Sequence, residues 1–295
     1  MPPDLIAVFE AQGGVATSAQ ILLQLSRRGM QARLRCAELV KILPGIYSLG
    51  VPDGPTRLRG LDLRCGEDVA VCLGTAAAMF GFDTEGVTEL HVLNPEGHLL
   101  RDQLGLRVHR REGAPLTSHR DRLLTAPAWT AVEVARGLRR PRALATLDAA
   151  LRSETCDRRE LAGAAEMQAG RRGIVTVRAL IPMARPGAES PMESEARLVM
   201  LDGGLPEPCL QYEIIDRDGR LWRVDFAWPD HHVAVEYDGF DWHSSPESLR
   251  RDRQKRAALE EIGWRIISIV SDDVRRRGDG MVRRIDTHLV RTAAA

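Results

Sequence analysis

The strongest constraint in the sequence is a short apolar run that ends in two acids. Residues 232–235 read HVAV, and EYDG follows at 236–239. An apolar run of this length, bounded by turn residues, predicts a buried strand. A buried carboxylate is costly unless it is paired or coordinates a metal. Glu236 and Asp238 therefore either emerge into solvent at the end of the strand or belong to a functional site.

A helix with an acid in its first turn lies upstream. Residues 190–193 (SPME) place a serine at the N-cap, a proline in the first turn and Glu193 three residues after the serine. This pattern predicts a capping box. Apolar side chains then recur at helical spacing until the glycine pair at 203–204. Glu193 therefore either bonds only the N-cap amide or joins the other acids in a site.

Two further strands separate this helix from the HVAV run. Residues 211–215 and 221–228 have strand composition, and the turn DRDG at 216–219 predicts a hairpin between them. The second of these strands carries Asp225. Because side chains alternate along a strand, Glu236 and Asp238 share one face of the third strand. The order of helix and strands brings carboxylates from separate elements toward one point.

Carboxylates that converge in this way are suited to a hard divalent cation. Such cations take oxygen ligands, commonly a few carboxylates and water. A bound cation lowers the pKa of a water ligand and neutralises charge on a phosphoryl oxygen. We therefore predict a site for Mg²⁺ or Mn²⁺. Its predicted ligands are Glu193, Asp225, Glu236 and Asp238.

Residues 189–289 resemble the PD-(D/E)XK nuclease superfamily, and within it the branch related to very-short-patch repair endonucleases. The resemblance covers about a third of the chain, and its motifs occur in order. They are SPMES at 190–194, GLPEP at 204–208, VDFAW at 224–228, VEYDG at 235–239 and WH at 242–243, followed by Asp252, Arg256, Leu259, Gly263 and WR at 264–265.

The resemblance implies a restriction-endonuclease-like mixed sheet flanked by helices and a Mg²⁺-dependent endodeoxyribonuclease activity. It makes Asp225 the central metal ligand and Glu193 a ligand reached directly or through water. It also implies that His243 acts as a general acid or base, or orients the phosphate. The catalytic residues expected from it are Glu193, Asp225, Glu236, Asp238 and His243.

The third strand departs from the pattern of the superfamily. An acid-x-lysine motif is usual there, whereas this chain has Glu236, Tyr237 and Asp238. We therefore expect no lysine to orient the attacking water. In the very-short-patch branch histidines assist in this region; His243 aligns with one of them, and Asp238 occupies the place of another.

The first 55 residues have the element order of a winged helix-turn-helix. Three helices are predicted: one at 3–11, one that begins at Thr17 or Ser18, and one at about 31–40. Gly29 is expected to break the chain before the third helix. Two short strands about a Pro-Gly turn follow at 42–49. The segment PGIYSL at 44–49 resembles the wing of AbiEi-type antitoxins, which implies DNA binding; the alternative is a helical packing module. The expected DNA contacts are Arg27, Arg28, Arg33 and Arg35, with Arg256 of the nuclease-like part.

The middle of the chain, residues 56–185, carries fewer motifs. Strands are expected at 69–74, 90–93 and 106–110, and helices at 128–138, 142–152 and 158–169; the basic run 107–122 is expected to be largely a solvated loop. The arrangement resembles the middle region of AbiEi-like antitoxins.

Prolines and small residues near 182–187 mark a linker. We therefore expect α/β architecture, α+β overall, in three domains. These are a winged helix-turn-helix (1–55), an α+β antitoxin-like domain (56–185) and a PD-(D/E)XK endonuclease-like domain (189–292).

Composition excludes several classes of protein. Lys+Arg and Asp+Glu both total 41, so net charge gives no general indication of a nucleic-acid partner. Lysine occurs only at Lys41 and Lys255. The five cysteines are scattered without the spacing of a zinc site or a disulfide framework. With neither a signal peptide nor a long apolar run, we expect a cytoplasmic protein with no membrane partner.

Three functions remain open on the sequence. The leading hypothesis is a DNA-binding, metal-dependent endonuclease that hydrolyses phosphodiester bonds. The alternative is a catalytically inactive DNA-binding transcriptional regulator of the AbiEi antitoxin type, which the missing strand lysine and the zero net charge favour. A third hypothesis is an antitoxin that binds only a protein partner, such as a toxin.

Overall fold

The computed structural model of the protein describes residues 1–110, 113–239 and 246–293, and it confirms the α+β fold class. The chain forms two compact units. Unit 1 contains residues 1–79 and 86–126, and unit 2 contains residues 80–85 and 127–295. The predicted division into three domains remains a prediction. No described helix is both long and apolar enough to cross a membrane.

Unit 1 opens with three helices and a small sheet. Its first elements are α1 (Pro3–Ala11), β1 (Val15–Thr17), α2 (Ser18–Gln24), α3 (Arg27–Arg35), β2 (Leu39–Leu43) and β3 (Ile46–Leu49). The strands pair antiparallel in the order β1-β3-β2. Leu5, Phe9 and Ile21 form the centre of the helical core. This is the element order of a winged helix-turn-helix.

The third helix begins earlier than the sequence predicts. Gly29 does not break the chain; it lies in the first turn of α3, where its amide donates to Ser26 Oγ at 3.1 Å. The helix ends at Arg35, since Ala37 has a left-handed backbone and Leu39 already belongs to β2. At the other end of the motif, Gly45 supplies the positive φ that the turn between β2 and β3 requires.

The rest of unit 1 is α4 (Gly54–Cys65), α5 (Leu73–Phe80) and four short strands. β4 (Leu90–Leu93) pairs parallel with β5 (Leu106–His109), and β6 (Leu116–His119) pairs antiparallel with β7 (Arg122–Thr125). The expectation of a solvated loop over 107–122 is therefore wrong for much of that run. The basic and polar composition of this run gives no sequence pattern that predicts the β6–β7 hairpin. Its turn residues Arg120 and Asp121 both have positive φ.

Unit 2 combines helices with one mixed sheet. Its helices are α6 (Pro127–Ala135), α7 (Arg140–Arg152), α8 (Arg158–Met167), α9 (Ile174–Leu180), α10 (Pro191–Asp202), α11 (Pro246–Glu261), α12 (Ser271–Arg275) and α13 (Gly278–Ala293). Its strands are β8 (Cys209–Ile215), β9 (Leu221–Trp228), β10 (Val233–Tyr237) and β11 (Arg265–Ile269). The sheet order is β11-β10-β9-β8, with β10 and β11 parallel and the other neighbours antiparallel.

Both faces of this sheet are covered by apolar side chains. Phe226, Val235 and Ile269 pack with residues of α10 and α13 on one face. Val224, Ala234 and Leu259 belong to the cluster on the other face, to which α11 contributes. A strand buried on both faces reads as a continuous apolar run, which explains the VAV pattern at 233–235, whereas His232 is exposed before the strand.

A buried ion pair fixes α10 to α7. Arg197 donates to Asp148 with an Nη2–Oδ2 distance of 2.7 Å, and both side chains are fully buried. The Asp148 carboxylate also accepts from the Arg185 amide at 2.8 Å. Burial raises the pKa of Asp148 and the Arg197 charge opposes that rise. Because both charges lie in the core, removal of either partner would leave the other charge buried and unpaired.

We expect Arg197→Met to lower the free energy of unfolding of unit 2 by about 3–5 kcal/mol, because it leaves the Asp148 carboxylate buried without its cation. All five tryptophans lie in unit 2, so urea unfolding followed by tryptophan fluorescence measures this loss. The control is Arg140→Met, which breaks the exposed Arg140–Asp202 pair between the same two helices and should cost at most about 1 kcal/mol. Equal losses in the two variants would contradict the argument.

Candidate active site

Three predicted metal ligands come together where α10 meets the sheet. Glu193 lies in the first turn of α10, Asp225 in β9 and Glu236 near the end of β10. Glu193 is buried, and the other two carboxylates are half-buried. The Asp225 charge raises the pKa of both Glu193 and Glu236, which places the three acids within one electrostatic cluster.

The Glu193 carboxylate does not close a capping box. Ser190 Oγ accepts from the Glu193 amide at 3.2 Å, as the sequence predicts. The Glu193 side chain, however, accepts from the Glu189 amide at 2.9 Å rather than from the N-cap amide. The same Oε2 atom accepts from Gln211 Nε2 at 3.0 Å. Glu193 therefore faces the sheet and the other acids, and the capping-box interpretation is wrong.

Gln211 is a site residue that the sequence analysis missed. It lies in β8 opposite Asp225, between the register pairs Leu210–Phe226 and Tyr212–Val224. Its side chain also hydrogen-bonds Asp225 and opposes the rise of that carboxyl's pKa. One carboxamide thus links two acids from different elements.

The backbone of Gln211 is left-handed, with φ +49°. This conformation is uncommon for a residue with a side chain and costs on the order of 1 kcal/mol. It interrupts the regular pairing of β8 with β9 at the position that faces Asp225. Strain of this kind concentrates at functional sites, where the surrounding structure holds it in place.

Asp225 is oriented from the neighbouring strand. Its Oδ2 accepts from the Tyr237 amide at 2.8 Å, a bond made beyond the last residue pair of β9 with β10. Burial raises the pKa of Asp225, whereas the Tyr237 bond and the Lys255 charge oppose that rise. A carboxylate with fixed orientation is suited to metal coordination.

The expectation that the site has no lysine is wrong. Lys255 Nζ, carried by α11, forms an ion pair with Glu236 Oε1. Burial raises the pKa of Glu236, and the Lys255 hydrogen bond and charge oppose the rise. A sequence signal for this residue did exist: Lys255 lies one helical turn before the fully buried Leu259, on the side of α11 that packs against the sheet.

The donor types fit a hard divalent cation, since three carboxylates are of the kind that such cations take. Within the described part of the chain, no three Asp, Glu, His or Cys side chains are already arranged as a metal-binding group. The reason lies in the bonds above: Gln211 is hydrogen-bonded to Glu193 and Asp225, and Lys255 is paired with Glu236. Metal ligation through Glu193 Oε2 requires Gln211 to release that atom, whereas Lys255 is paired only with Oε1 of Glu236.

The fourth predicted ligand, Asp238, lies at the edge of this cluster. Asp238 is exposed just beyond β10, where its amide donates to the Ile269 carbonyl at 2.8 Å, although its charge still raises the pKa of Glu236. His243 lies outside the described residues, so its predicted role stays a prediction.

The arginines predicted to bind DNA differ in their availability. Arg27, Arg28 and Arg35 are exposed on α3. Arg33 is half-buried and turned back on its own helix, where it donates to the Gly29 carbonyl at 3.2 Å and pairs with Glu38. In unit 2, Arg256 donates to Ser268 Oγ on β11.

Comparison with known proteins supports the AbiEi-like middle of the chain and its restriction-endonuclease-like C-terminal part, whereas the very-short-patch branch and the AbiEi-like wing stay predictions. Residues 69–183 match the family model of the AbiEi antitoxin C-terminal domain. Residues 215–289 match the restriction-endonuclease-like family model REase_MTES_1575. The chain is also 52% identical over 271 residues to two proteins from different strains of Mycobacterium tuberculosis, "Uncharacterized protein MT2308" and "Uncharacterized protein Rv2248". Each alignment covers 92% of this chain and 100% of the relative.

We expect Glu193→Gln to stabilise the metal-free protein at pH 8, by on the order of 1 kcal/mol. Burial raises the pKa of Glu193, so its ionised form costs stability once the pH exceeds the unfolded-state pKa of about 4.3. Glutamine keeps an oxygen that accepts from Glu189 and Gln211 and carries no charge. The gain should disappear as the pH falls below about 4, where the glutamate is protonated in both states.

Urea unfolding in EDTA at several pH values measures this effect. The matched control is Glu213→Gln, which replaces an exposed glutamate on β8 and should stay within about 0.5 kcal/mol of the wild type. The expected burial cost would be contradicted if Glu193→Gln were less stable than the wild type at pH 8, by at least as much as it is at pH 4.

Proposed function

This chain belongs to the same family as the two Mycobacterium tuberculosis proteins, and we propose that it is a DNA-binding endonuclease that uses Mg²⁺ or Mn²⁺ to hydrolyse phosphodiester bonds. The observation that carries the proposal is the convergence of Glu193, Asp225 and Glu236 from one helix and two strands of the restriction-endonuclease-like unit. Lys255 offsets one of the three clustered negative charges, and the remaining negative charge favours a metal site.

In the proposed site Glu193, Asp225 and Glu236 would hold the cation, with Asp238 near the end of the same strand. When bound, the cation supplies positive charge to the phosphoryl group and acidifies water. The protein's own contribution is orientation: the Tyr237 amide fixes Asp225, and Gln211 holds Glu193 relative to Asp225. Preorganised groups of this kind stabilise charge that develops in the transition state. We retain His243 as the proposed general acid or base.

We propose that the winged helix-turn-helix brings DNA to the protein. In this arrangement the exposed arginines of α3, Arg27, Arg28 and Arg35, would contact phosphates and base edges. A local cluster of this kind is compatible with zero net charge because phosphate contacts depend on local rather than global charge.

The second candidate is a DNA-binding regulator of the AbiEi antitoxin type without nuclease activity. The match of residues 69–183 to the AbiEi antitoxin C-terminal domain favours it, and so do the Lys255 and Gln211 bonds that occupy the acids. In this reading a toxin protein is the proposed partner, and the acidic cluster serves only to fix the fold.

Cleavage of DNA separates the two candidates. We expect the purified protein to cut duplex DNA in the presence of Mg²⁺ or Mn²⁺ and to be inactive in EDTA. Asp225→Asn should lower the rate at least 100-fold, because the replacement removes the charge of the central ligand while keeping its size. The measurement is the single-turnover rate on an end-labelled duplex and on supercoiled plasmid.

The control for this experiment is Asp218→Asn, an exposed acid in the turn before β9, which should leave the rate within twofold. The substrates include DNA of varied sequence and of varied structure, so that a narrow substrate preference does not hide activity. Absence of cleavage with every divalent cation, together with metal-independent DNA binding, would reject the nuclease and support the regulator.

We expect the triple variant Arg27→Ala, Arg28→Ala and Arg35→Ala to weaken DNA binding at least tenfold at 100 mM salt. Each lost phosphate contact should also lower the slope of log affinity against log salt by about 0.9. Fluorescence anisotropy of a labelled duplex over a salt series measures both quantities. The control is Arg33→Ala, whose side chain already bonds within α3, and which should change affinity less than threefold. Unchanged affinity and slope in the triple variant would exclude α3 from the interface.

A further inference from the structure

We propose that Lys255 of α11 is the catalytic lysine of the acidic site, supplying from a helix the ammonium that PD-(D/E)XK nucleases carry on the third strand. The inference rests on the proposed nuclease function. It explains how the site can work although Glu236, Tyr237 and Asp238 leave that strand without a lysine.

The position of Lys255 is the first support. Its ammonium pairs with Glu236, and the two side chains are only 17% and 21% exposed. Other basic residues of the same helix, such as Arg253 and Arg256, are exposed. Lys255 is therefore the basic residue of α11 that the fold turns toward the acids, and desolvating its charge requires a compensating role.

The residue type is the second support. Of 41 basic residues only Lys41 and Lys255 are lysines, so this chain uses arginine at almost every other basic position. The two side chains differ: arginine presents a planar fork, whereas lysine presents a compact charge on a flexible stem. An ammonium has three donors. Among the described residues its bond is to Glu236, and in the proposal the other two donors serve the attacking water and a phosphate oxygen.

The charge of the site is the third support. Glu193, Asp225 and Glu236 together with Lys255 leave two negative charges, which one divalent cation neutralises. Lys255 is thus compatible with a metal-loaded site and does not have to leave when the cation binds. Two exposed acids add negative charge at the edge of the site: Asp238 raises the pKa of Glu236, and Glu189, which is paired with Arg223, raises the pKa of Glu193 and Asp225.

The reaction that Lys255 would serve is the hydrolysis of a phosphodiester. The water oxygen forms a bond to phosphorus and loses a proton to the surrounding solvent, while one phosphorus–oxygen ester bond breaks. The departing alkoxide takes up a proton, and the products are a phosphate monoester and an alcohol. Lys255 remains protonated throughout and donates hydrogen bonds to the water and to a non-bridging phosphate oxygen.

The test compares Lys255→Met with the matched control Arg253→Met, which removes an exposed charge from the same helix. We expect the single-turnover cleavage rate in Mg²⁺ to fall at least 100-fold in Lys255→Met and to stay within twofold in Arg253→Met. Lys255→Arg keeps the charge and should recover part of the lost rate. DNA affinity in Ca²⁺ should change less than threefold in Lys255→Met.

Calorimetric titration with Mn²⁺ alone provides a readout besides activity. Removing Lys255 makes the site more negative, so Lys255→Met should bind Mn²⁺ at least as tightly as the wild type. A merely structural role predicts the opposite, because the acids would lose their arrangement and Mn²⁺ binding with them. Should Lys255→Met fail to fold, Lys255→Gln keeps a donor to Glu236 and is measured instead, with the same expectations.

The outcomes distinguish this inference from the function on which it rests. A wild-type protein that binds Mn²⁺ yet cleaves no substrate would overturn both. A wild type that cleaves, with Lys255→Met within threefold of its rate, would overturn only the role of the lysine. Loss of Mn²⁺ binding in the folded variant, or a Lys255→Arg rate no higher than that of Lys255→Met, would also overturn it.

Discussion

The burial of three carboxylates in one place is the constraint on which the C-terminal unit depends. Glu193, Asp225 and Glu236 each come from a different element, and burial raises the pKa of all three. The sheet and its flanking helices have to hold these charges together against their mutual repulsion. The donors around the acids, namely the amides of Glu189 and Tyr237, the Gln211 carboxamide and the Lys255 ammonium, oppose that cost.

Two of the groups that oppose this cost are themselves held in energetically unfavourable states. Gln211 has a left-handed backbone, and Lys255 carries its charge into a position with little solvent. A chain selected for stability alone would place an apolar pair at such positions, as it does elsewhere in the sheet. Local departures from the rules of stability are typical of functional sites. The arrangement therefore supports the site proposed at this point of the fold.

Much of the fold followed from the sequence because its signals are local. Turn residues and apolar periodicity located β9, β10 and α10, and the order of acids along the chain indicated which side chains would meet. The start of α3, the β6–β7 hairpin and the bond partners of Glu193 did not follow, because each depends on contacts outside the local pattern. Lys255 lies 19 residues from Glu236, and only the packing of α11 on the sheet brings the two together.

The position of Glu193 also depends on helices that lie outside the nuclease-like motifs. Arg197, one turn after Glu193 on α10, forms the buried pair with Asp148 of α7, and Glu195 between them pairs with Arg142 of the same helix at 3.1 Å. Helix α7 falls within the segment that matches the AbiEi antitoxin C-terminal domain. Because α10 carries both the ion pairs and the first acid of the site, a displacement of α7 would move Glu193 relative to Asp225. Helix α7, which belongs to the antitoxin-like segment, therefore helps to position the first acid of the site.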